Sequence, residues 1–445
     1  MHNKTRHSFL LKGIICVILI LSTATASFGS ATNSDFLNIR GEAAILIDAQ
    51  SGRILYSKNP DLLLPTGSMA KMMTEYLVLE AIHNKQFTWD EKIQISDYSF
   101  KVSQNNKLSN VPLRKDKTYS IKELYEAMAI YSASGATIAL AERVSGSETA
   151  FVQLMNQKAS ELGMKDYQFV NSTGLNNKDL YGLHPAGTTA DAENMMSARA
   201  TATLAFSLIR DYPEVFRFSK IPKLKFQEGT SDVINMDNWN WMLPQLVYGY
   251  EGIDGLKTGS TTLAGYSFTG TAVRNDFRLI SVVMKTDSYQ TRFIETKKLL
   301  DYGFQNYSLQ QILPAKQEFE VKIAGGNKRK TTLTNPKPLT VLVKQGESDL
   351  YTPSLKIDNP AKNKAVLAPV AKGTVVGRIA YNYKGSVSYD YLTETIKKMD
   401  GAELITTEAI NKPGFINNII NNLTDFLGDI WSNIYNSAAN KLFKK

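Results

Sequence analysis

The sequence predicts an α+β protein: an antiparallel sheet covered by helices with an inserted all-helical region, a small all-β domain, and a terminal amphipathic helix. Three observations predict it. β-type runs at the start of the chain have counterparts after residue 264, and the patterns between them are helical. Near Leu313-Pro314 the composition shifts to short β runs punctuated by Gly and Pro. After Pro413-Gly414, apolar residues recur at intervals of three and four.

Ala43–Ala49 and Arg53–Lys58 flank a Gln50-Ser51-Gly52 turn and read as an opening hairpin. Ser68 to His83 is helical and apolar nearly all round, with Met69, Met72, Met73, Tyr76, Leu77 and Ile82, as expected of a helix buried inside a domain. Ile121 to Lys165 reads as several helices with short polar breaks. Gly265–Arg274 and Phe277–Lys285 read as strands joined at Asn275-Asp276, and Arg292–Tyr302 as a helix after them. In the β domain the expected strands are Gln317–Ile323, Leu339–Lys344, Thr374–Tyr381 and Ser386–Tyr391.

The two chain ends have their own signatures. Lys4, Arg6 and Lys12 precede an apolar run from Gly13 to Ser22, and Ala24-Thr25-Ala26 follows, which is the order of a secretory leader. Removing residues 1–26 takes the formal charge from +9 to about +6. A retained membrane helix is the competing reading, but the run is short for a full span. The final segment carries Phe415, Ile416, Ile419, Ile420, Leu423, Phe426, Leu427, Ile430, Trp431, Ile434 and Tyr435, then Lys441, Lys444 and Lys445. Polar residues interrupt it throughout. An aromatic-rich face with a basic end suits a helix lying in a membrane interface; a helix that packs on protein is the alternative. The expected organisation is a leader over 1–26, a catalytic domain over 33–309, an all-β domain over 310–409 and an anchor helix over 413–445.

Residue scarcity excludes much chemistry. The only cysteine, Cys16, lies inside the leader, preceded by Ile14 and Ile15 rather than by the small residues of a lipid-attachment signal. The exported chain would hold neither disulfide nor thiol nucleophile. Of four histidines, His2 and His7 leave with the leader, and His83 and His184 show no metal-ligand spacing. A zinc hydrolase normally needs two or three imidazoles. His184, beside Pro185, reads as a loop residue rather than a catalyst.

Ser68-Met69-Ala70-Lys71 is the central motif. Residues three apart on a helix share a face, so Lys71 can reach the Ser68 hydroxyl. A buried or cation-flanked lysine loses its proton readily and can act as base. The tetrapeptide alone is a common one and equally fits a helix cap with a surface lysine. Two further elements change that. Tyr131-Ser132-Ala133-Ser134-Gly135 is a polar break between apolar helices, where Ser132 can relay a proton to a leaving amine and Ser134 can donate to substrate or to Lys71. Lys257-Thr258-Gly259 precedes the strand from Gly265. There Lys257 and Thr258 can hold a carboxylate, Gly259 lets a substrate backbone approach, and the Ser260 amide can complete an oxyanion hole with that of Ser68.

Ser-x-x-Lys, Ser-x-x and Lys-Thr-Gly in this order resemble the three motifs of the penicillin-binding proteins and serine β-lactamases. Phe169-Val170-Asn171-Ser172-Thr173-Gly174-Leu175, Ser197-Ala198-Arg199, Asp254 to Gly259, Ala264-Gly265-Tyr266, and Arg292 with Lys297-Lys298-Leu299-Leu300 narrow the resemblance to the low-molecular-mass D-alanyl-D-alanine carboxypeptidases. The resemblance covers nearly the whole exported chain. It implies removal of the terminal D-Ala from peptidoglycan stem pentapeptides through an acyl-enzyme on Ser68. It also implies no cofactor, metal or nucleic acid, covalent inhibition by β-lactams, and attachment to the outer face of the cell membrane through residues 415–443. Arg292 either assists carboxylate binding or forms a structural ion pair. One departure stands out: Ser134 occupies the place of the usual asparagine. A class A-like β-lactamase is an alternative, though no Glu-x-x-x-Asn loop lies between Ser132 and Lys257. A catalytically weak peptidoglycan-binding protein is the other.

Overall fold

Residues from both ends of the catalytic region meet in one antiparallel sheet. A computed structural model describes residues 35–358, 365–386, 388–413 and 430. Strands β1 (Ala43–Asp48) and β2 (Ile54–Lys58) form the expected hairpin. They join β3 (Ile253–Thr261), β4 (Gly265–Arg274) and β5 (Phe277–Thr286) in the order β3-β4-β5-β1-β2. β1 pairs with β5, so the start of the chain closes onto its distant counterpart. β1 is buried on both faces, which explains its unbroken AAILID run.

Helices cover both faces. Gly67–Ala70 form a 3₁₀ turn that leads into α1 (Lys71–His83), whose residues from Lys71 to Leu79 are all buried. Ser68 therefore stands in a 3₁₀ turn at the helix entrance, not in the α-helix itself. α2 (Asp97–Ser103), α3 (Ile121–Tyr131), α4 (Ser134–Ser145) and α5 (Glu148–Glu161) follow, and α6 (Ala198–Asp211) packs on β1 and β5. α7 (Tyr289–Asn306) lies against β4 and β5 and runs longer than the 292–302 expected. A Ser120–Glu123 capping box starts α3, and Ser147 and Ser197 cap α5 and α6.

The C-terminal part is all-β, as expected, with its own core around Leu333, Val343, Ile379 and Leu404. Tyr307–Leu313 pairs with Leu339–Lys344, and Tyr351–Ile357, Val375–Tyr383, Ala402–Thr406, Lys330–Thr334 and Glu318–Ala324 form most of a second sheet. The strand expected over Ser386–Tyr391 is not one. Tyr391 makes an isolated bridge to Arg53, and Asp390 O accepts from Ile54 N at 2.8 Å. This stretch and the short helix Glu394–Met399 dock on the hairpin, sending Leu392 and Ile396 into the catalytic core. The tyrosines that suggested a strand pack around Arg53 instead.

The leader expected over 1–26 and the amphipathic face expected over 415–443 lie outside the described residues, save Ile430. No helix among the described residues is long and apolar enough to cross a membrane.

Candidate active site

Ser68 and Lys71 meet as their spacing requires: Lys71 Nζ lies 3.0 Å from Ser68 Oγ. Lys71 is completely buried, and its pKa is held well below the ordinary lysine value, first by burial and then by the charge of Lys257. Nζ also donates to Thr173 O at 2.7 Å and lies 3.4 Å from Ser134 Oγ. Three oxygens therefore fix the amine beside the half-buried serine.

The Thr173 carbonyl is a functional atom that residue-type reasoning did not assign. It belongs to the Phe169–Leu175 segment. Asn171 Oδ1 accepts from the amides of Thr173 and Gly174 and from Thr173 Oγ1, while Asn171 Nδ2 donates to Leu175 O and Asn177 Oδ1. Buried Glu148 accepts from the Ser172 amide and hydroxyl and from Tyr98, and burial raises its pKa. Gly174 has φ +78°, and a Cβ there would come within 2.0 Å of Gly67 O. Only glycine lets this loop press on the residue before the nucleophile.

Ser132 ends α3 in the left-handed conformation, φ 62° and ψ 28°. That geometry costs a non-glycine residue about 1–2 kcal/mol. The turn aims its hydroxyl into the cleft, where Oγ is buried without a hydrogen-bond partner among the described residues. Ser134 begins α4, and its amide donates to Ser109 O at 3.0 Å.

Lys257, Thr258 and Gly259 lie inside β3, at the sheet edge facing the 3₁₀ turn, rather than just before a strand. The strand was hidden because its glycines and charges break the apolar pattern. Gly259 also has a different task from the one expected. A Cβ there would lie 2.1 Å from Thr66 O and 3.1 Å from Met69 N, so the glycine admits the nucleophile's own turn rather than a substrate backbone. The Ser260 amide reaches the same turn: a Cβ on Gly67 would be 2.6 Å from it.

Lys257 is 2% exposed. Burial lowers its pKa to about 8, with Glu75 opposing and Arg292 adding to the shift. Glu75 stands four residues beyond Lys71 on α1, is itself buried, and is pushed up to about 7 by burial, against the pull of both lysines. It is a second group that the sequence reading passed over; a lone carboxylate in an otherwise apolar helix, one turn from the lysine, was the available signal. Arg292 is buried on α7. It makes no ion pair among the described residues, only contacts of 3.5 Å to Gly259 O and Ser267 O, and burial lowers its pKa to about 10. The structural ion pair considered for it is therefore not formed. His184 sits in a loop, 3.1 Å from Thr188 Oγ1 and outside the cleft.

The cleft holds about 150 Å³ and is lined by Ser68, Ser132, Ser134, Thr258, Ser260 and Arg292, with Trp239 and Tyr289 forming an aromatic wall. A polar, cationic cleft with a lysine-activated serine and an unpartnered hydroxyl suits acyl transfer from a substrate bearing a carboxylate.

Residues 29–288 match the family model for D-alanyl-D-alanine carboxypeptidases. The chain belongs to that family. As a family member it also carries, over residues 307–412, a match to the penicillin-binding protein 5 C-terminal domain. It is 29% identical over 402 residues to the D-alanyl-D-alanine carboxypeptidase DacF of Bacillus subtilis, covering 89% of this chain and 96% of that one. Penicillin-binding protein 3 of Streptococcus pneumoniae, described as a peptidoglycan synthesis regulatory factor, superposes with a TM-score of 0.72 at 32% identity, covering 84% of this chain and 100% of that one. Penicillin-binding protein D2 of Listeria monocytogenes, in its cefotaxime-bound form, superposes with a TM-score of 0.50 at 31% identity, covering 60% of this chain and 98% of that one. Family membership fits the serine carboxypeptidase reading and neither the β-lactamase nor the weak wall-binding alternative.

Proposed function

We propose that this carboxypeptidase removes the terminal D-Ala of peptidoglycan stem pentapeptides with Ser68 as nucleophile. Lys71 takes the Ser68 proton, and Oγ attacks the carbonyl of the penultimate D-Ala. The amides of Ser68 and Ser260 receive the oxyanion. Lys257 and Thr258 hold the terminal carboxylate, with Arg292 adding positive charge behind them. Ser132 passes a proton to the departing D-Ala amine, and water then hydrolyses the ester. Ser134 steadies Lys71 through its hydroxyl in place of the usual amide. β-Lactams enter the same route and stop at the ester. The observation that carries the reading is the 3.0 Å approach of a buried, proton-poor Lys71 to Ser68.

The leader pattern over 1–26 supports export, and the aromatic, basic-ended segment over 415–443 supports peripheral attachment to the outer face of the membrane. The catalytic domain over 33–309 and the all-β domain over 310–409 would then both work outside the cytoplasm.

Intact-mass analysis after penicillin treatment tests the assignment. One adduct is expected, on the peptide containing Ser68, and Ser68→Ala removes both the adduct and D-Ala release. An adduct mapped to any other residue overturns it.

A further inference from the structure

The cleft has a second cationic wall that the reaction as described leaves idle. Lys107 lines the cleft together with Ser68, and its side chain is exposed. It belongs to the loop between α2 and α3, which is tied to the start of α4. Ser134 N donates to Ser109 O at 3.0 Å, and Gly135 N donates to Asn110 Oδ1 at 2.9 Å. The loop is also shaped from within, because Lys107 N donates to Asn105 Oδ1 at 3.0 Å and Asn110 Nδ2 donates to the carbonyls of Val102 and Asn105. These bonds seat Lys107 on the wall formed by Ser132 and Ser134.

Lys257, Thr258 and Arg292 occupy the facing wall, on β3 and α7. No aspartate or glutamate stands among the described residues lining the cleft, and Lys107 forms no ion pair among the described residues. A substrate lying between the walls thus meets cations from both sides. Its terminal carboxylate can satisfy only the β3 side. An unpaired cation on the other side favours a second anionic group and disfavours an ammonium.

We propose that Lys107 forms a subsite for a carboxylate carried by the acyl part of the substrate, upstream of the scissile D-Ala-D-Ala bond. This rests on the carboxypeptidase reading above. Two stem-peptide groups share that chemistry. One is the side-chain carboxylate of a diaminopimelate-type third residue, which an L-lysine third residue replaces with a bare ammonium. The other is the α-carboxylate of a γ-linked D-glutamate. Trp239 and Tyr289 complete the opening, giving the stem's apolar parts an aromatic surface to lie on.

The test compares D-Ala release from three pentapeptides. One has both carboxylates free, one is amidated on diaminopimelate, and one is amidated on glutamate. The wild-type chain should lose roughly 3–10-fold in kcat/KM on one of the two amidations, as expected for an exposed but well-placed charge pair. The amidation that costs activity names the source. In Lys107→Gln the ratio between free and amidated peptides should fall towards one, and in Lys107→Glu it should invert. A general loosening of the loop would slow all three peptides alike and leave the ratio standing. Equal use of all three by the wild-type chain, or a ratio unchanged in Lys107→Gln, overturns the subsite.

A second readout does not depend on peptidase activity. Carbenicillin differs from benzylpenicillin by one carboxylate on the acyl side chain. The ratio of their acylation rates at Ser68 should drop in Lys107→Gln and drop further in Lys107→Glu. Should no pentapeptide release D-Ala, the carboxypeptidase reading fails and the penicillin ratio alone decides the subsite.

Discussion

Two arginines lie fully buried at opposite edges of the five-stranded sheet, and their surroundings separate scaffold from site. Arg53, at the β2 edge, donates from Nη2 to Leu342 O at 2.6 Å and from Nη1 to Tyr351 OH at 3.3 Å, and it stacks 4.0 Å from the Tyr389 ring centroid. Burial alone would lower its pKa, yet Tyr381, Tyr351, Tyr389 and Asp48 raise it overall. Arg292, at the β3 edge, has aromatic neighbours in Tyr289 and Phe293 but only long contacts to carbonyls, and its pKa falls. The first cation is saturated by its own protein and joins the β domain to the hairpin. The second is left wanting an anion, beside the lysine proposed to hold one.

Breaking the Arg53 cluster should have the largest effect on the fold. Arg53→Met leaves Leu342 O and Tyr351 OH without their donor, and a loss of about 3 kcal/mol in unfolding free energy is expected. Chemical denaturation measures it. Penicillin acylation at Ser68, measured under native conditions, should change little.

Arg292→Gln should do the reverse. An acylation efficiency roughly 10–30-fold lower is expected, carried mainly by KM, with thermal stability nearly retained because an unpaired buried charge has gone. The pH profile sharpens the contrast. Acylation needs neutral Lys71 and charged Lys257, so activity should fall as pH rises through about 8, where Lys257 loses its proton. Arg292 helps to depress that value, so its removal lets Lys257 stay charged longer and moves the alkaline limb to higher pH. A limb that stays in place would remove Arg292 from the carboxylate site.

The smallest effect belongs to a third arginine. Arg199, from the Ser-Ala-Arg stretch, bridges Asp61 at 2.6 Å and Asp390 at 3.0 Å across the same junction as Arg53. Both carboxylates are solvent-exposed, so Arg199→Ala should cost no more than about 1 kcal/mol. A loss as large as that of Arg53→Met would mean that the junction depends on ion pairs rather than on the buried tyrosine cluster.

What could be read from the chain follows the range of the interactions. Ser68 with Lys71, and Ser132 with Ser134, announce themselves because their partners lie within one helical turn or one break. The opening hairpin and the Gly265–Arg274 and Phe277–Thr286 strands were legible because each buries an alternating or continuous apolar run. β3 was not, since Asp254, Gly255, Lys257 and Gly259 interrupt any such run. Lys330–Thr334 and Ala402–Thr406 escaped for a related reason: they are short and rich in polar residues, and each is specified by its cross-strand neighbour. The Thr173 carbonyl is a backbone atom with no residue-type signature. Its position depends on Asn171, Asn194 and Glu148 acting across the fold.

The left-handed turn at Ser132 places two independent filters on one position. A hydroxyl must be present, which leaves serine, threonine or tyrosine. The backbone must also sit at positive φ, which a β-branched residue resists far more than serine does. Alanine would fail the first filter and threonine the second. Among hydroxyl-bearing side chains that fit the space, serine alone passes both, and variation at this position is narrower than chemistry by itself would demand.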